Sequence, residues 1–364
     1  MKVAIDAREL TGKPTGVGRY LRELLIEWTA APDAARHDWR LYAPAPPDVP
    51  AALAGRVRIV PGRGGTAWEQ WTLARALAAE RPDVLFAPGY TAPLTAPCPI
   101  LVAIHDVSFA ARPDWFSARE GARRRFVTRW TARRARKVLT ISEFSRGEIV
   151  RHLGVPPGHV RVIPLGVRVP DAPAPGPREP MVLYVGSIFA RRHVDLLVEA
   201  FVRHVAPALP QARLELVGEN RLPRGASVDH ALAAAPAEVR AQVRFRSYVD
   251  EATLRELYGR ASAFAFLSEY EGFGFTPLEA MAHGVPPVVL DTPVARESYG
   301  EAVARVGLGP DTPAALGRVL VDLLTTSAAR ATLLRQAPTV LSRYDWARTA
   351  ADTLAALEDA AGAR

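Results

Sequence analysis

Short apolar runs of strand length alternate with amphipathic stretches along the chain, and this alternation limits the fold more than any other feature of the sequence. It predicts parallel sheets with helices packed on both faces. Helical patterns occur at 17–29, 67–79, 116–135 and 143–153. The predicted strands lie at 2–6, 39–43, 57–60, 83–87, 100–104, 137–141 and 160–163, and then at 181–185, 213–217, 243–246, 263–267, 287–290 and 303–306.

A proline-rich stretch at 167–180 interrupts this pattern. Its prolines stiffen the backbone and it offers little to bury, so we interpret 169–180 as an interdomain linker. The length of 364 residues also exceeds one ordinary domain. The sequence therefore predicts an α/β protein with two Rossmann-like, doubly wound domains, at 1–168 and 181–345, facing each other across a cleft. Such sheets bind ligands at the carboxyl ends of their strands.

The amino-acid composition indicates which kinds of partner and which cellular location to expect. The net charge of +8 favours anionic partners such as nucleotides, nucleic acid or an acidic lipid surface. Cys98 is the only cysteine, which excludes internal disulfides and is compatible with the cytosol. No apolar run approaches the ~20 residues that span a bilayer. The first residues are typical of a strand rather than a signal peptide, so we expect a cytoplasmic protein.

Polar or glycine-containing segments follow three of the predicted strands. Gly16 and Gly18 lie where a predicted helix starts, and the start of this helix could hold an anion or could simply be a flexible turn that caps a core helix. His105, followed by an aspartate, could bind a sugar hydroxyl, or it could be satisfied by the backbone. Arg191 and Arg192 sit where cations oppose a helix dipole, which favours a diphosphate partner over two solvated arginines.

The segment EYEGFGFTPLEA, residues 269–280, places two carboxylates, Glu271 and Glu279, around a glycine loop. Thr276 and Glu279 match a capping box, with Thr276 as N-cap and Gly284 as helix terminator, which is a purely structural explanation of Glu279. Capping does not explain Glu271. A carboxylate beside exposed loop amides suits a sugar attached to a phosphate, whereas a glycosidase needs two carboxyls facing each other across the scissile bond.

These motifs resemble the retaining glycosyltransferases of family 4, which have the GT-B architecture. The resemblance covers essentially the whole chain, and its most specific part is the stretch 269–289. That fold would also place the terminal helix, 346–364, back on the first domain. The other matching segments are TGVGRYLREL, WEQW, HDVSF, VLTISEFSR, VIPLGV, YVGS followed by ARRH, and YDWARTAADTL.

The resemblance implies a role for each matching residue. Catalytic roles fall on His105, near the reacting carbon, and on Glu271, at the donor-sugar hydroxyls. Glu279 would bind the ribose, and Tyr248 and Val249 would frame the base. The sugar or phosphate would be held by the amides of Phe273, Gly274 and Phe275. The diphosphate would be surrounded by Gly16, Gly18, Ser187, Arg191 and Arg192. The acceptor would be bordered by Trp68, Glu69, Gln70 and Trp71.

Two positions depart from the family pattern. Arg192 stands where the family usually has a lysine, and Ser187 replaces the partner arginine, so Arg191 would have to substitute for it. The implied reaction moves a hexose from a nucleotide sugar to a saccharide or lipid-linked acceptor in cell-envelope polysaccharide synthesis. GDP-mannose is the expected donor, with UDP- and dTDP-sugars as alternatives. The chain contains no Asp-x-Asp motif, and we expect neither a metal nor a cofactor.

The segment 112–137 carries ten basic residues among four aromatic ones. It could lie on an anionic membrane, at the inner face of the cell membrane. The simpler interpretation is an amphipathic helix with buried aromatics and solvated arginines. Other functions compatible with the fold are a sugar-nucleotide epimerase or a phosphorylase. A nucleic-acid-binding protein would fit the charge, but no known nucleic-acid module is present, so we expect no nucleic-acid partner.

Overall fold

The computed structural model describes residues 1–12, 15–170, 177–222, 228, 232–233 and 235–362. The chain forms two compact units, one comprising Met1–Gly166 with Tyr344–Arg364 and the other Val167–Arg343. Part of the predicted linker, residues 171–176, lies outside the described residues. Among the described residues, no helix is both long enough and apolar enough to cross a membrane.

The first unit is built on a parallel sheet of seven strands. The strands are β1 Lys2–Asp6, β2 Asp38–Ala43, β3 Val57–Ile59, β4 Val84–Ala87, β5 Ile100–Ala103, β6 Lys137–Thr140 and β7 Val160–Val162. They lie in the order β3-β2-β1-β4-β5-β6-β7. Strands β4 and β5 are buried along their whole length, as their continuous apolar sequences require.

Helices cover this sheet, and one of them comes from the end of the chain. The indole of Trp28 donates a hydrogen bond to the carbonyl of Ala350 at 3.0 Å, so the terminal helix packs on the first helix. Gly166 passes so close to Trp346 that a Cβ there would lie 2.3 Å from it. The helices are Gly16–Ala30, Pro32–Ala35, Gly65–Ala67, Trp68–Leu73 (a π-helix), Ala74–Glu80, Ser108–Ala111, Ala118–Arg134, Glu143–Leu153 and Trp346–Gly362, with 3₁₀ turns at Arg8–Leu10, Ala51–Arg56, Pro113–Trp115 and Pro157–His159.

The second unit repeats the design with six parallel strands in the order β10-β9-β8-β11-β12-β13. Its strands are β8 Met181–Val185, β9 Arg213–Val217, β10 Val243–Arg246, β11 Ala263–Phe266, β12 Pro287–Leu290 and β13 Ala304–Val306. Its helices are Val194–Ala200, Phe201–Val205 (a π-helix), Ala206–Ala208, Ala237–Ala241, Glu251–Arg260, Phe275–Ala282, Pro293–Tyr299, Thr312–Thr325, Ser327–Leu334 and Ala337–Leu341, with a 3₁₀ turn at Ala190–Arg192. The predicted fold class, with two Rossmann-like α/β sheets, is confirmed.

The basic helix of the first unit differs from the simpler prediction. It spans Ala118–Arg134, and its N-cap is Ser117, whose hydroxyl accepts the amide of Glu120. Phe126 and Trp130 are 57% and 55% exposed, and their ring centroids lie 6.2 Å apart. The interpretation that the aromatic residues of this helix are buried is therefore wrong for these two. Val127 and Thr131 occupy the buried face instead.

Candidate active site

Both sheets reverse their strand order at an equivalent point, between β1 and β4 in the first unit and between β8 and β11 in the second. Loops leaving the carboxyl ends of the strands on either side of such a reversal separate and leave a crevice. In the second unit, charged side chains from these two loops contact each other. In the first unit, Arg8 after β1 contacts Thr91 after β4 and pairs with Glu69 from the helix Trp68–Leu73. The two clusters are therefore the candidate sites of the chain.

In the second unit, Arg192 and Glu271 form an ion pair at this point. Arg192 follows β8 and Glu271 follows β11. The Nε and Nη2 atoms of Arg192 lie 3.1 and 3.0 Å from Oε1 of Glu271, and its Nη1 donates to the carbonyl of Ser187 at 3.1 Å. Burial works against the charge on Arg192, but Glu271 and Tyr184 outweigh it and raise the pKa of the guanidinium. Arg192 therefore stays cationic in a partly buried position.

The two carboxylate oxygens of Glu271 have different surroundings. Oε1 accepts from Arg192 and, at 2.9 Å, from the hydroxyl of Ser268. Oε2 accepts no hydrogen bond from the described residues, and the side chain remains partly exposed. A carboxylate held in place through one oxygen can accept a ligand hydroxyl with the other.

A second pair joins the same two loops next to the first. His193 has a left-handed backbone conformation, with φ of 42°, and its Nε2 lies 2.9 Å from Oε2 of Glu269. The amide of Glu269 donates to the carbonyl of Arg191 at 3.0 Å. Together with the Arg192–Glu271 pair, these bonds fix the loop after β8 against the glycine loop after β11.

Three guanidinium groups gather around the ring of Phe189. The Cζ atoms of Arg191, Arg192 and Arg221 lie 4.3, 5.7 and 5.7 Å from its centroid. Arg221 also pairs with Glu219 at 2.9 Å. Arginine side chains stacked on an aromatic ring keep in-plane donors for a phosphate. The predicted diphosphate residues Arg191, Arg192 and Ser187 are thus brought together, and Arg221 joins them as a residue that the sequence did not indicate.

The glycine loop has a different helix start from the one predicted. The helix begins at Phe275, with Gly274 as N-cap and no capping side chain, so the proposed Thr276–Glu279 capping box is wrong. The hydroxyl of Thr276 is buried without a hydrogen-bond partner among the described residues. Gly284 has φ of 70° and its amide donates to Met281, so the predicted terminator is correct.

Gly274 is required by packing as well as by conformation. Its φ is 78°, and a Cβ at this position would lie 1.8 Å from the hydroxyl of Tyr299. That hydroxyl donates to the carbonyl of Gly274 at 2.8 Å and lies 3.3 Å from that of Phe273. The glycine therefore does more than expose loop amides, because it also makes room for the hydroxyl of Tyr299. Phe273 is buried, and Phe275 is partly exposed.

The remaining nucleotide-binding candidates lie in the same unit. Tyr248 is 80% exposed, a few residues beyond the edge strand β10, and Val249 is partly exposed. Glu279 is partly exposed on the helix that follows the glycine loop. An exposed aromatic ring can stack on a base, so the position of Tyr248 is compatible with its predicted role.

In the first unit, a buried charge cluster lies at the β1–β4 reversal. The guanidinium of Arg8 pairs with Glu69 and, at 3.3 Å, with Asp6. Thr91 donates to Glu69 at 2.6 Å. Asp6 is 2% exposed, and burial raises the pKa of its carboxyl to about 6 against the opposing effect of the Arg8 guanidinium. Two acids thus share one arginine, which leaves a net negative charge when both are ionised.

This cluster borders a cavity of about 710 Å³ in the first unit. Of the four predicted acceptor residues, Glu69 lines the cavity, while Gln70 is partly exposed and donates to Glu69 at 2.6 Å. Trp68 is buried, and its indole donates to Val60 at 2.8 Å. Trp71 is largely exposed. The WEQW motif therefore places one side chain in the cavity wall and uses another to hold the motif in the core.

His105 is buried at the end of β5 and contacts two tyrosines. Its Nε2 lies 2.9 Å from the carbonyl of Pro88, which can only accept, so this nitrogen carries the proton. Burial lowers the pKa of the imidazole, which favours the neutral ring with an unprotonated Nδ1. Asp106 accepts the hydroxyl of Tyr90 at 2.8 Å and the amide of Ser108 at 2.8 Å. The backbone contact suggested for His105 is therefore present, and Asp106 caps the turn that follows it.

The two glycines at the start of the first helix have different surroundings. Gly18 is buried, and a Cβ there would lie 2.4 Å from the carbonyl of Glu9, so close packing requires this glycine. Gly16 is exposed and has open space where a Cβ would stand. Thr15 caps the helix by accepting the amide of Gly18 at 2.9 Å. Of these two glycines, Gly16 is the one with an exposed backbone.

The sequence missed several residues of these clusters. Asp6 is the last residue of β1, and Arg8, Tyr90 and Thr91 follow β1 or β4; this position at the carboxyl ends of the strands was the available signal. Arg221 follows β9 in the same way. Within the described residues, no group of three or more histidine, cysteine or acidic side chains is placed to hold a metal ion.

Comparison with known proteins identifies the family. The model described as "Glycosyltransferase Family 4" matches residues 14–170, and the model "Glycosyl transferases group 1" matches residues 170–339. The chain therefore belongs to the family 4 type of glycosyltransferases, and the resemblance inferred from its motifs is confirmed.

Relatives differ in how much of the chain they share. O-antigen chain mannosyltransferase B of Escherichia coli is 29% identical over 46% of this chain and 46% of its own length. GDP-mannose:cellobiosyl-diphosphopolyprenol alpha-mannosyltransferase of Komagataeibacter xylinus is 39% identical over 29% of this chain and 27% of its own. This chain thus matches about half or less of each. HepE of Anabaena, solved with UDP and glucose, is 19% identical with a TM-score of 0.73 over 99% of this chain and 100% of its own, which shows a common fold.

Proposed function

We propose that the chain is a retaining, metal-independent glycosyltransferase that moves mannose from GDP-mannose to a saccharide or lipid-linked saccharide in cell-envelope polysaccharide synthesis. The observation that carries this proposal is the Arg192–Glu271 pair, with a carboxylate oxygen left over for a sugar hydroxyl beside three arginines suited to a diphosphate. The mannosyltransferase names of the relatives support mannose as the sugar. GDP-mannose appears in one of those names.

In the proposed reaction the bond between the anomeric carbon and the diphosphate oxygen breaks first, leaving an oxocarbenium-like centre. The acceptor hydroxyl then forms the new bond from the face that the diphosphate left, and its proton passes to the departing phosphate. This chain would contribute positioning and charge rather than a nucleophile. Arg191, Arg192 and Arg221 would stabilise the negative charge that grows on the diphosphate, because charge-assisted hydrogen bonds to phosphate are strong.

Glu271 would orient the donor sugar through its Oε2 atom. Its other oxygen is fixed by Arg192 and Ser268, so the carboxylate is already in place before the donor arrives. Preorganisation of this kind lowers the cost of binding. In the first unit, neutral His105 would accept a sugar hydroxyl through Nδ1, since its Nε2 donates to Pro88.

The exposed basic helix supports association with an anionic membrane. Phe126 and Trp130 project into solvent, and the exposed arginines Arg119, Arg123, Arg129 and Arg133 lie on the same helix. Aromatic side chains insert at the lipid interface while arginines attract acidic headgroups. We propose that this helix brings the chain to the inner face of the cell membrane, where a lipid-linked acceptor is found.

A thermal-shift series with GDP, UDP, dTDP and ADP tests the donor assignment. A ligand that binds only the native state at 100 times its dissociation constant stabilises it by about 2.7 kcal/mol. We expect GDP to raise the melting temperature most. A shift with UDP alone would overturn the GDP assignment, and no shift with any nucleotide would overturn the proposed function. A transfer assay with and without EDTA tests metal independence, and loss of turnover in EDTA would contradict it.

A further inference from the structure

The lining of the cavity in the first unit includes two chemically different groups of side chains. The first group, which we call the acidic side, consists of carboxylates and hydroxyls from Glu9, Glu69, Tyr90 and Thr91. The second group, which we call the basic side, consists of Arg63 from the glycine-rich loop 62–65 and Arg123 from the helix Ala118–Arg134. An uncharged sugar alone would leave these two arginines without a ligand.

The acidic side is held rigidly. Glu69 is 1% exposed and bonds to Arg8, Thr91 and Gln70. Arg8 contributes no net positive charge to the cavity, because it is already shared between Glu69 and Asp6. Glu9 accepts the hydroxyl of Thr15 at 3.0 Å. Carboxylates and hydroxyls in fixed positions are suited to the hydroxyl groups of a sugar.

The basic side carries charge that the structure does not neutralise. Arg63 and Arg123 are exposed, and neither has a carboxylate partner in the parts of the chain that the structure describes. Arg123 donates to the hydroxyl of Thr66, which places its guanidinium beside the loop that carries Arg63. Arg124, the other arginine of this helix in the lining, is neutralised by Glu120 at 2.7 Å. Two unpaired arginines at one side of a cavity bind a phosphate well.

The loop itself leaves room for such a group. Gly64 and Gly65 have φ of 70° and 71°, a backbone conformation that other residues rarely adopt. At Gly65, a Cβ would meet no atom within 4 Å. The loop therefore approaches the cavity with bare backbone on the side where the two arginines lie.

We propose that this cavity binds an acceptor sugar that carries a phosphate, with the sugar hydroxyls at Glu9 and Glu69 and the phosphate at Arg63 and Arg123. The proposal rests on the proposed glycosyl transfer, because it assigns the cavity to the acceptor. The phosphate belongs either to a free sugar phosphate or to a polyprenyl-linked sugar, and the chemistry that the cavity recognises is the same in both.

The test measures binding directly, so it does not depend on turnover. The dissociation constants of mannose 1-phosphate and of mannose are measured by ligand-observed NMR with the wild-type chain and with the double variant Arg63→Gln/Arg123→Gln. Arg119→Gln serves as the control, because it removes the same charge from the same helix outside the cavity lining. The single variant Arg63→Gln keeps the Arg123–Thr66 bond. It therefore shows whether weaker binding persists when the local structure at this bond is unchanged.

We expect the double variant to bind mannose 1-phosphate at least about tenfold more weakly, which corresponds to ~1.4 kcal/mol. The control Arg119→Gln should bind mannose 1-phosphate as the wild type does. Mannose without a phosphate should bind equally to the wild type, the double variant and the control. Equal binding of mannose 1-phosphate by wild type and double variant would exclude free sugar phosphates as the ligand, and the same result with the lipid-linked probe described next would overturn the proposal.

A second arm uses a polyprenyl diphosphate-linked sugar in detergent micelles. Dependence on the two arginines in this arm alone identifies the lipid-linked source, and dependence in both arms identifies a site open to free sugar phosphates. If neither arm depends on them, the phosphate site is refuted while GDP binding by the second unit can persist. If the arginine dependence is found but no nucleotide binds, the proposed transfer fails and the phosphate site stands.

Discussion

Arg192 and Glu271 lie 79 positions apart in the sequence and meet at 3.0–3.1 Å, where they join the loops that follow β8 and β11. Arg192 is a proposed phosphate ligand and Glu271 a proposed sugar ligand. The ion pair therefore joins the residue that would bind the phosphate of the donor to the residue that would bind its sugar. The position of each side chain therefore depends on the other.

Two substitutions of Glu271 should separate chemistry from stability. Glu271→Ala leaves Arg192 partly buried without its charge partner, and we expect a loss of about 1–3 kcal/mol in the stability of the second unit. Glu271→Gln retains an acceptor for Arg192 and Ser268 and should cost less than ~1 kcal/mol. Both variants should lose transfer activity by at least about a hundredfold. The alanine variant lacks the group that accepts the sugar hydroxyl, and the neutral amide of the glutamine variant binds this hydroxyl less strongly than a carboxylate does. Wild-type turnover in Glu271→Gln would remove Glu271 from the donor site.

Glu279→Gln tests the ribose contact. Because the helix begins at Phe275 without a capping box, the substitution should not remove a helix cap from the second unit. We expect the dissociation constant for GDP, measured by calorimetry, to rise roughly tenfold as one charge-assisted hydrogen bond is lost. Glu256→Gln, on an exposed position of the same unit, is the matched control. An unchanged affinity for GDP would leave Glu279 without a binding role.

Gly274→Ala should destabilise the second unit by roughly 2–4 kcal/mol, because it combines a left-handed backbone with a clash against Tyr299. Hydrogen exchange of the amides in β11 and β12 reports this loss. Removing the tyrosine hydroxyl by Tyr299→Phe should restore part of the stability in the double variant. Strictly additive effects of the two substitutions would show that the clash is not the cause.

Asp6 predicts a pH dependence in the stability of the first unit. Its folded pKa of about 6 lies above its ordinary value of 3.8, so between these values the folded state binds more protons than the unfolded state. Stability should therefore fall as pH rises from about 4 to 6, by roughly 3 kcal/mol at most. Asp6→Asn should remove this decline.

Tryptophan fluorescence during urea unfolding measures the effect cleanly. All seven tryptophans belong to the first unit: Trp28, Trp39, Trp68, Trp71, Trp115, Trp130 and Trp346. The free energy of unfolding of wild type relative to Asp6→Asn should be highest at pH 4 and lowest at pH 7. A difference that stays constant with pH would contradict the raised pKa.

Membrane association should depend on the two exposed aromatics of the basic helix. We expect Phe126→Ser/Trp130→Ser to weaken co-sedimentation with phosphatidylglycerol-containing vesicles by at least about tenfold. The control Phe245→Ser removes an exposed phenylalanine from the second unit and should have no effect. Binding should also weaken with added salt and be poor on pure phosphatidylcholine. Equal binding by the double variant and the control would exclude this helix as the membrane contact.

The sheets were largely predictable because parallel strands are buried on both faces and appear as continuous apolar runs. Every predicted strand has a counterpart in the structure within one or two residues at its ends. It was harder to predict which face of a helix is buried. In the basic helix, Phe126 and Val127 are neighbours in sequence but lie on different faces, and their types alone did not say which is buried.

The candidate sites were predictable only in part. The sequence indicated Glu271 and Arg192 separately, but a contact across 79 positions depends on which strands are neighbours. The capping box failed because Gly274 adopts a left-handed conformation and lets the helix begin before Thr276. Tyr299 was not anticipated, since its role comes from packing against the glycine loop.

A crystal structure of the chain with GDP-mannose bound tests the central claim most directly. We expect Oε2 of Glu271 to accept a hydroxyl of the mannose, the diphosphate to contact Arg192 and at least one other arginine around Phe189, and Glu279 to bind the ribose. Density for the nucleotide sugar away from the glycine loop, with the Arg192–Glu271 pair facing no ligand, would contradict the proposed donor site.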